Sequence, residues 1–401
     1  MNEEMSTGSK RQEMDKPLFV AVLLLVAFGV VMVYSSSGIM AGFSLKNPTY
    51  FLGRQSIYAL VGLLVMVVAS RINYTVFQKP KIIWSLLALS FFGLLLCYSP
   101  LGANINGASR WIKVGPITIQ PAEAMKVALV LWLSYSLARK REQIKSFSIG
   151  FLPHLLVPGV VMIVCLLQPD FGTTVVIALM TFSMLFIAGA KLGYIMLAGI
   201  LSAPIAYFLV ASYEYRLKRM MTFLDPLATR FDDGYQLTQS LFGFSAGGMT
   251  GVGIGDGLQK FLFLPEAHND FIGSIIGEEL GVIGIWVMML VFAIVISRGI
   301  LIAFRAEDEF GTYLAMGLSI LIGLQALANL GVAMGLLPTK GLNLPFVSFG
   351  GSALVISLGV VGIILSISRG SGGTALMGTR TKELGKSSRG NTRRTQKESP
   401  Q

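Results

Sequence analysis

Charge and cysteine are both scarce in this sequence: 13% of its 401 residues are charged, and only two are cysteines. So little charge, set against 53% apolar residues and a mean hydropathy of +0.68, excludes a soluble enzyme and describes a chain immersed in lipid. Cys97 and Cys165 both lie within apolar runs, which excludes a disulfide framework and paired thiols spaced for zinc. His268 is one of only two histidines and makes a poor zinc ligand on its own. No repeat period is present. No βαβ unit surrounds the Gly-x-Gly spacing at 251–257, which argues against a dinucleotide site.

What is there is long apolar runs. Residues 17–45 carry no charge, and the apolar core Leu18 to Tyr34 follows a start containing Lys10, Arg11 and Lys16. That run is too long for a signal peptide and no small-residue cleavage site follows it, so it reads as a retained first span. A bilayer core needs about 20 apolar residues per helix. Further charge-free runs begin near Gln55, Ile82, Val127, Ser146, Phe171, Leu192, Leu280, Phe310 and Gly350. The pattern predicts an all-α integral membrane protein of ten transmembrane helices. Residues 1–16 form a cytoplasmic N-terminal segment, 17–369 the ten-span domain, and 370–401 a disordered basic cytoplasmic tail. A long extracytoplasmic loop, residues 213–270, joins spans 7 and 8.

The net charge of +11 orients this topology. With both termini inside, inner segments hold 21 lysines and arginines and outer segments 10; in short loops alone the contrast is 13 against 5. Both termini are therefore expected in the cytoplasm. The tail is too polar to bury a core and reads as a solvated segment attracted to anionic lipid.

Ionisable residues at membrane depth are costly, and here they crowd the outer ends of the predicted spans. Pro121 suits a first helical turn, which puts Glu123 at the positive helix end and Lys126 one turn below on the same face. A structural ion pair and a functional one remain equally open for these two. Asp270 sits where the polar loop becomes a membrane helix, as a cap or as a reactive acid. The glycines at 247, 248, 251, 253, 255 and 257 suit tight turns or close backbone approach. The segment 336–352, rich in Pro and Gly, supplies Lys340 and Ser348 and suits irregular backbone lining a cavity. The expected site is an outward cavity with carboxylates Glu123, Asp170 and Asp270, cations Arg110, Lys126 and Lys340, and the aromatic surface of Trp111. Cations beside carboxylates at the lipid edge suit a substrate with a phosphate head and a hydrocarbon tail.

Several separated motifs carry a family resemblance. They are Arg110-Trp111; Gln120-Pro121-Ala122-Glu123 with Lys126; Gln168-Pro169-Asp170-Phe171-Gly172-Thr173; Gly234-Tyr235-Gln236-Leu237; Leu264-Pro265-Glu266-Ala267-His268-Asn269-Asp270-Phe271-Ile272; Gly277-Glu278-Glu279-Leu280-Gly281; and Pro345-Phe346-Val347-Ser348-Phe349-Gly350-Gly351-Ser352. From about Pro17 to Arg369 the chain resembles the SEDS family (shape, elongation, division and sporulation) of bacterial peptidoglycan glycosyltransferases. The Pro-Glu-Ala-His wording and Leu-Pro-Thr-Lys-Gly look like the division member rather than the elongation member, with the sporulation member close. Asn269 departs from the usual Thr, Gly273-Ser274 from Phe-Ala, and Ala353 from a second Ser. None of these removes a charge.

The resemblance implies polymerisation of lipid II, the undecaprenyl-pyrophosphate-linked disaccharide pentapeptide, on the outer face of the bacterial cytoplasmic membrane, at the division septum. It assigns Asp270 as general base, with Arg110, Trp111, Glu123, Lys126, Gln168, Asp170, Lys340 and Ser348 binding substrate or supporting the site. Charge on the leaving pyrophosphate falls to Arg110, Lys126, Lys340 or a bound divalent cation, Mg or Mn. The implied partners are a class B penicillin-binding transpeptidase and other division proteins, with no nucleic acid. A lipid II flippase fits the spans and buried charges as well, but a carrier needs ionisable groups through both leaflets. A non-catalytic division scaffold would tolerate loss of Asp270.

Overall fold

The computed structural model describes residues 13–370, except 106, 107, 116, 213, 233, 262 and 340. Lys340, the segment 1–12 and the tail from 371 onward lie outside the described residues. Helix follows helix: α1 (Lys16–Leu45), α2 (Tyr50–Arg71), α3 (Pro80–Leu96), α4 (Pro121–Arg139), α5 (Leu152–Leu167) and α6 (Phe171–Ile187). Then come α7 (Leu192–Ala211), α8 (Glu214–Leu224), α9 (Tyr235–Gly247), α10 (Ile272–Arg305), α11 (Glu309–Ala333) and α12 (Gly351–Ser368). Among the described residues six helices are long and apolar enough to cross a membrane: α1, α2, the run Phe147–Leu167 that ends in α5, α10, α11 and α12. Shorter apolar helices are Pro80–Leu96, Phe171–Ile187 and Leu192–Pro204.

Local chemistry sets the helix starts. Asp15 caps α1 by accepting from the Leu18 N–H at 3.0 Å, and Pro17 occupies the first turn, where a missing N–H costs nothing. Asp170 caps α6, accepting from the Thr173 N–H and hydroxyl at 3.1 and 2.8 Å. Asp308 caps α11 and also accepts from the Tyr74 hydroxyl at 2.6 Å.

Two helices sit at the centre. α4 buries Met125, Leu129, Val130, Trp132 and Leu133, and α11 buries Leu314, Leu318, Ile322 and Leu330, so neither offers an apolar stripe to lipid. The outer helices do: Leu60 and Leu64 of α2, Leu89 of α3 and Trp286 and Leu290 of α10 are exposed. Small residues let these helices close on each other, since lipid gives apolar side chains no reason to associate. A Cβ on Gly362 of α12 would lie 2.5 Å from the Met66 carbonyl of α2.

The all-α expectation needs a correction. Residues 102–119 form a three-stranded antiparallel sheet, β1 (Gly102–Ile105), β2 (Ala108–Val114) and β3 (Ile117–Ile119), in that order. Outside the apolar helices the β-branched run of Ile112, Val114, Ile117, Thr118 and Ile119 favours strand. Gly115 turns the β2–β3 hairpin at φ +60°, which a side chain would resist.

The long segment between α7 and α10 is folded rather than extended, and its glycines have a specific task. α10 is broken at Gly281 (φ 67°, ψ −167°). The break frees backbone groups that the glycine run satisfies. Val252 and Gly253 donate to the carbonyls of Glu278 and Glu279 at 3.0 Å each, while Val282 and Ile283 donate to those of Gly248 and Met249 at 3.0 and 3.1 Å. No side chain fits there, because a Cβ on Gly251, at φ +82°, would lie 2.2 Å from the Glu279 carbonyl oxygen. Both acids of the break are buried and occupied. Glu278 accepts from the Leu258 N–H at 2.7 Å, and Glu279 pairs with Lys260 at 2.9 Å and accepts from Ser35 at 2.7 Å.

Candidate active site

Asp270 ends an irregular turn, residues 264–271, that leads into α10. Opposite it runs another irregular stretch, 336–350, between α11 and α12. Gly29 of α1 lets that second stretch dip into the bundle: a Cβ there would lie 2.6 Å from the Phe346 carbonyl. Such backbone is tolerated at depth because other protein groups satisfy it. Ser348 donates to the Asn269 carbonyl at 2.7 Å and accepts from the Leu344 N–H at 2.9 Å. The Phe349 N–H donates to the His268 carbonyl at 2.9 Å.

A cavity of about 300 Å³ opens above these segments, lined by Arg110, Trp111, Glu123, Arg219, Glu266 and Asp270 among others. The sheet contributes Arg110 and Trp111 from β2, α4 contributes Glu123 from its first turn, and α8 contributes Arg219. Three carboxyl groups, two guanidiniums and an indole therefore face one volume. Asp270 is half-buried, reaching the cavity on one side and packed by protein on the others. That burial, and next the negative charge of Glu266, push its carboxyl up to about 7, against the opposing pull of Arg219 and Arg110. An acid poised near neutrality is the state a general base requires.

Other sequence-predicted residues stand behind the cavity wall, where they support it rather than line it. Lys126 is fully buried and does not line the cavity; it pairs with Glu123 at 2.7 Å, and Gln325 of α11 donates to the other Glu123 oxygen at 3.2 Å. A lysine spent on this buried pair cannot meet a pyrophosphate. Asp170 is buried as the α6 cap and lies 3.8 Å from Arg110. Gln168 donates to the Leu94 carbonyl at 2.6 Å, and its own carbonyl accepts from Arg110 Nε at 3.3 Å; the Pro169 carbonyl takes a second bond from Arg110. Asp170 and Gln168 thus aim Arg110 rather than face a ligand. Ser348 clamps backbone. His268 packs between Phe51 and Phe349, ring centroids 4.4 and 5.6 Å away, and burial lowers its pKa to about 4, so it is a neutral aromatic.

Sequence reasoning missed Arg219 and Glu266 as site residues. Arg219 donates to the Thr339 carbonyl at 3.1 Å, which ties α8 to the 336–350 stretch. The signal for Glu266 was its place four residues before Asp270; its left-handed φ of 53° marks a turn that turns the chain back. Among the described residues no three His, Cys, Asp or Glu side chains converge to hold a metal ion.

Residues 15–372 match the model of a family of cell cycle proteins, that of FtsW, RodA and SpoVE. The chain belongs to this family. It is the SEDS family that the motifs resemble. Relatives named probable peptidoglycan glycosyltransferase FtsW include one from Geobacter sulfurreducens, 43% identical over 91% of this chain and 98% of the relative. Stage V sporulation protein E of Bacillus subtilis is 37% identical over 90% of this chain and 98% of its own length. A chain from a solved peptidoglycan synthase complex that coordinates polymerization and crosslinking superposes with a TM-score of 0.74 at 26% identity, covering 89% of this chain and 98% of that one. The rod shape determining protein RodA of Thermus thermophilus superposes at 0.66 with 24% identity, over 89% and 97%, and shares the fold.

Proposed function

We propose that this SEDS protein polymerises lipid II at the outer face of the cytoplasmic membrane during division, with Asp270 as general base. It is a multi-pass membrane protein and, by its family and its FtsW-named relatives, a peptidoglycan glycosyltransferase. The observation that carries the finer reading is a half-buried carboxyl near neutrality in the same cavity as two guanidiniums.

The chemistry follows from that arrangement. An acceptor sugar hydroxyl attacks the anomeric carbon of the donor and forms the new glycosidic bond, while the bond from that carbon to the pyrophosphate oxygen breaks. The hydroxyl proton passes to the Asp270 carboxylate. The electron pair leaves with the pyrophosphate, whose charge Arg110 and Arg219 stabilise, each as a planar guanidinium able to grip two phosphate oxygens. Trp111 offers a flat face to a sugar. Lys340 borders this region in sequence but lies outside the described residues.

Topology supports the sidedness. On this reading α1 to α7 and α10 to α12 are the ten spans, the cavity lies among the sheet, α8 and the turn before α10, and the lysine and arginine excess of the opposite segments argues for a cytoplasmic side there. A class B penicillin-binding transpeptidase is the proposed partner, supported by the similarity to a chain of a synthase complex that couples polymerization to crosslinking. The test is purified protein, with and without that partner, incubated with labelled lipid II and the product sized. We expect glycan strands from wild type and ~100- to 10,000-fold less from Asp270→Asn, the usual worth of a general base. Lipid II movement between leaflets with no glycan would favour a flippase.

A further inference from the structure

Three consecutive backbone carbonyls precede α10, those of His268, Asn269 and Asp270, and each is held from outside the turn. The Phe349 N–H takes the first and the Ser348 hydroxyl the second. The third is taken by Asn329, whose Nδ2 donates to the Asp270 carbonyl at 2.9 Å and to the Leu342 carbonyl at 2.5 Å. Asn329 lies on the central helix α11 and is 1% exposed. Its own Oδ1 has no hydrogen-bond partner in the protein. Burying an amide with half its capacity unmet is costly, and an apolar residue would spare that cost only by leaving the Asp270 and Leu342 carbonyls without this donor. The two donated bonds are therefore what the residue contributes, and they join the turn to the stretch opposite it.

We propose that Asn329 is a positioning residue: by tying the Asp270 carbonyl to the Leu342 carbonyl, it fixes the backbone from which the Asp270 side chain projects into the cavity. It touches no substrate. The inference rests on the reading of Asp270 as base. Gly341, one residue before the clamped Leu342, shows how tight the fit is, since a Cβ there would lie 3.1 Å from the Asp270 carboxylate. If the clamp is lost, Asp270 remains but wanders, and misplacement by about 1 Å at a reacting centre costs on the order of 100-fold.

Two consequences separate positioning from general support. First, kcat falls while KM for lipid II holds, because Arg110, Trp111 and Arg219 line the cavity without using Asn329. Second, the acid limb of the pH profile moves. The groups facing Asp270 are Glu266 on its own turn, Arg219 on α8, Arg110 on β2 and Glu123 on α4 across the cavity. His268 packs away from it as a neutral ring. A loosened carboxyl gains water, so its limb shifts to lower pH.

The experiment measures glycan synthesis by purified Asn329→Leu, Asn329→Gln, Asp270→Asn and a control, Ala326→Gly, which loosens the same helix without touching the turn. Expected for Asn329→Leu are a ~10- to 100-fold fall in kcat, KM within about twofold and an acid-shifted limb, none of which the destabilised control should show. Asn329→Gln, which keeps the amide, should recover part of kcat. Should Asn329→Leu fail to fold, Asn329→Ser, able to hold one carbonyl, is read by the same criteria. If Asp270→Asn is inactive while the folded Asn329 variant keeps wild-type kcat and limb, the clamp is overturned and the base stands. A kcat loss that merely tracks melting temperature, with the limb unmoved, also overturns it. A fully active Asp270→Asn sinks both.

Discussion

If Asp270 is the base, its ionisation must be visible in the pH dependence of glycan synthesis. Its carboxyl titrates near 7 instead of the ordinary 3.8, because burial and Glu266 disfavour the charge. A group with a pKa of about 7 is about 9% ionised at pH 6, about half at pH 7 and about 91% at pH 8. kcat/KM should therefore rise ~fivefold from pH 6 to 7 and ~tenfold from 6 to 8, then level off. Two substitutions should move this limb in opposite directions: Glu266→Gln removes a like charge and shifts it to lower pH, whereas Arg219→Ala removes an opposing one and shifts it higher. Linkage gives an independent check. Between about pH 4 and 7 the folded chain keeps a proton that the unfolded chain releases, so this group's contribution to stability falls as pH rises through that window. Asp270→Asn should then melt above wild type at pH 8 and close to it at pH 4. The assay is initial-rate glycan synthesis from labelled lipid II in buffers of constant ionic strength. A flat profile between pH 6 and 8, or a Glu266→Gln limb displaced toward higher pH, would refute the reasoning.

Breaking the buried pair should be costly: Lys126→Met or Glu123→Ala strands one charge in the bundle and lowers stability by ~3–5 kcal/mol, read by thermal unfolding in detergent, and a wild-type melting curve would refute the expected coupling. Gly251→Ala puts a Cβ against the Glu279 carbonyl at a φ of +82°, so the glycine run should undock from the α10 break at a cost of ~1–3 kcal/mol; limited proteolysis within 248–257 should accelerate, and an unchanged digestion rate counts against the docking. Topology is testable at Asp256, which is exposed where neighbouring Gly257 is buried: an introduced cysteine, Asp256→Cys, should react with an impermeant maleimide from outside intact cells, and labelling only after membrane disruption would invert the site's sidedness.

Much of the helical frame was legible from apolar run length, because lipid forces each run into a helix. Run length alone falls short where charge interrupts a run. The charge-free runs from Val127 and Leu280 belong to helices that begin at Pro121 and Ile272, where the first-turn proline and the change from polar loop to helix after Asp270 place their starts. In both, buried acids, Glu123 and the pair Glu278 and Glu279, broke the charge-free pattern although their charges are satisfied inside the helix bundle. The sheet at 102–119 was missed because strands there are short, and a hydropathy scan reads lipid depth rather than pairing. Arg110, Trp111, Glu123 and Asp270 line one cavity although they come from three separate elements, the middle of β2, the first turn of α4 and the turn before α10. Which charges face the cavity and which stand behind it was not legible. Lys126 and Asp170 have partners three residues along the chain, but sequence spacing alone does not say which way a side chain turns.

That division between facing and backing charges also explains why the site sits on irregular backbone. A helix at this depth would satisfy its own carbonyls and leave side chains to diverge around its axis. The turn at 264–271 and the stretch at 336–350 instead bring two chains side by side, so that Asn329 and Ser348, each holding one strand to the other, replace the missing ladder. The same substitution of loop for helix recurs at Gly281, where the glycine run completes the broken α10. Both irregular regions lie at the cavity end of the bundle, while its centre, α4 and α11, is regular and buried. A rigid centre carrying the Glu123, Gln325 and Asn329 side chains thus fixes a mouth whose backbone could not fix itself, and the carboxyl at that mouth inherits its geometry from the core.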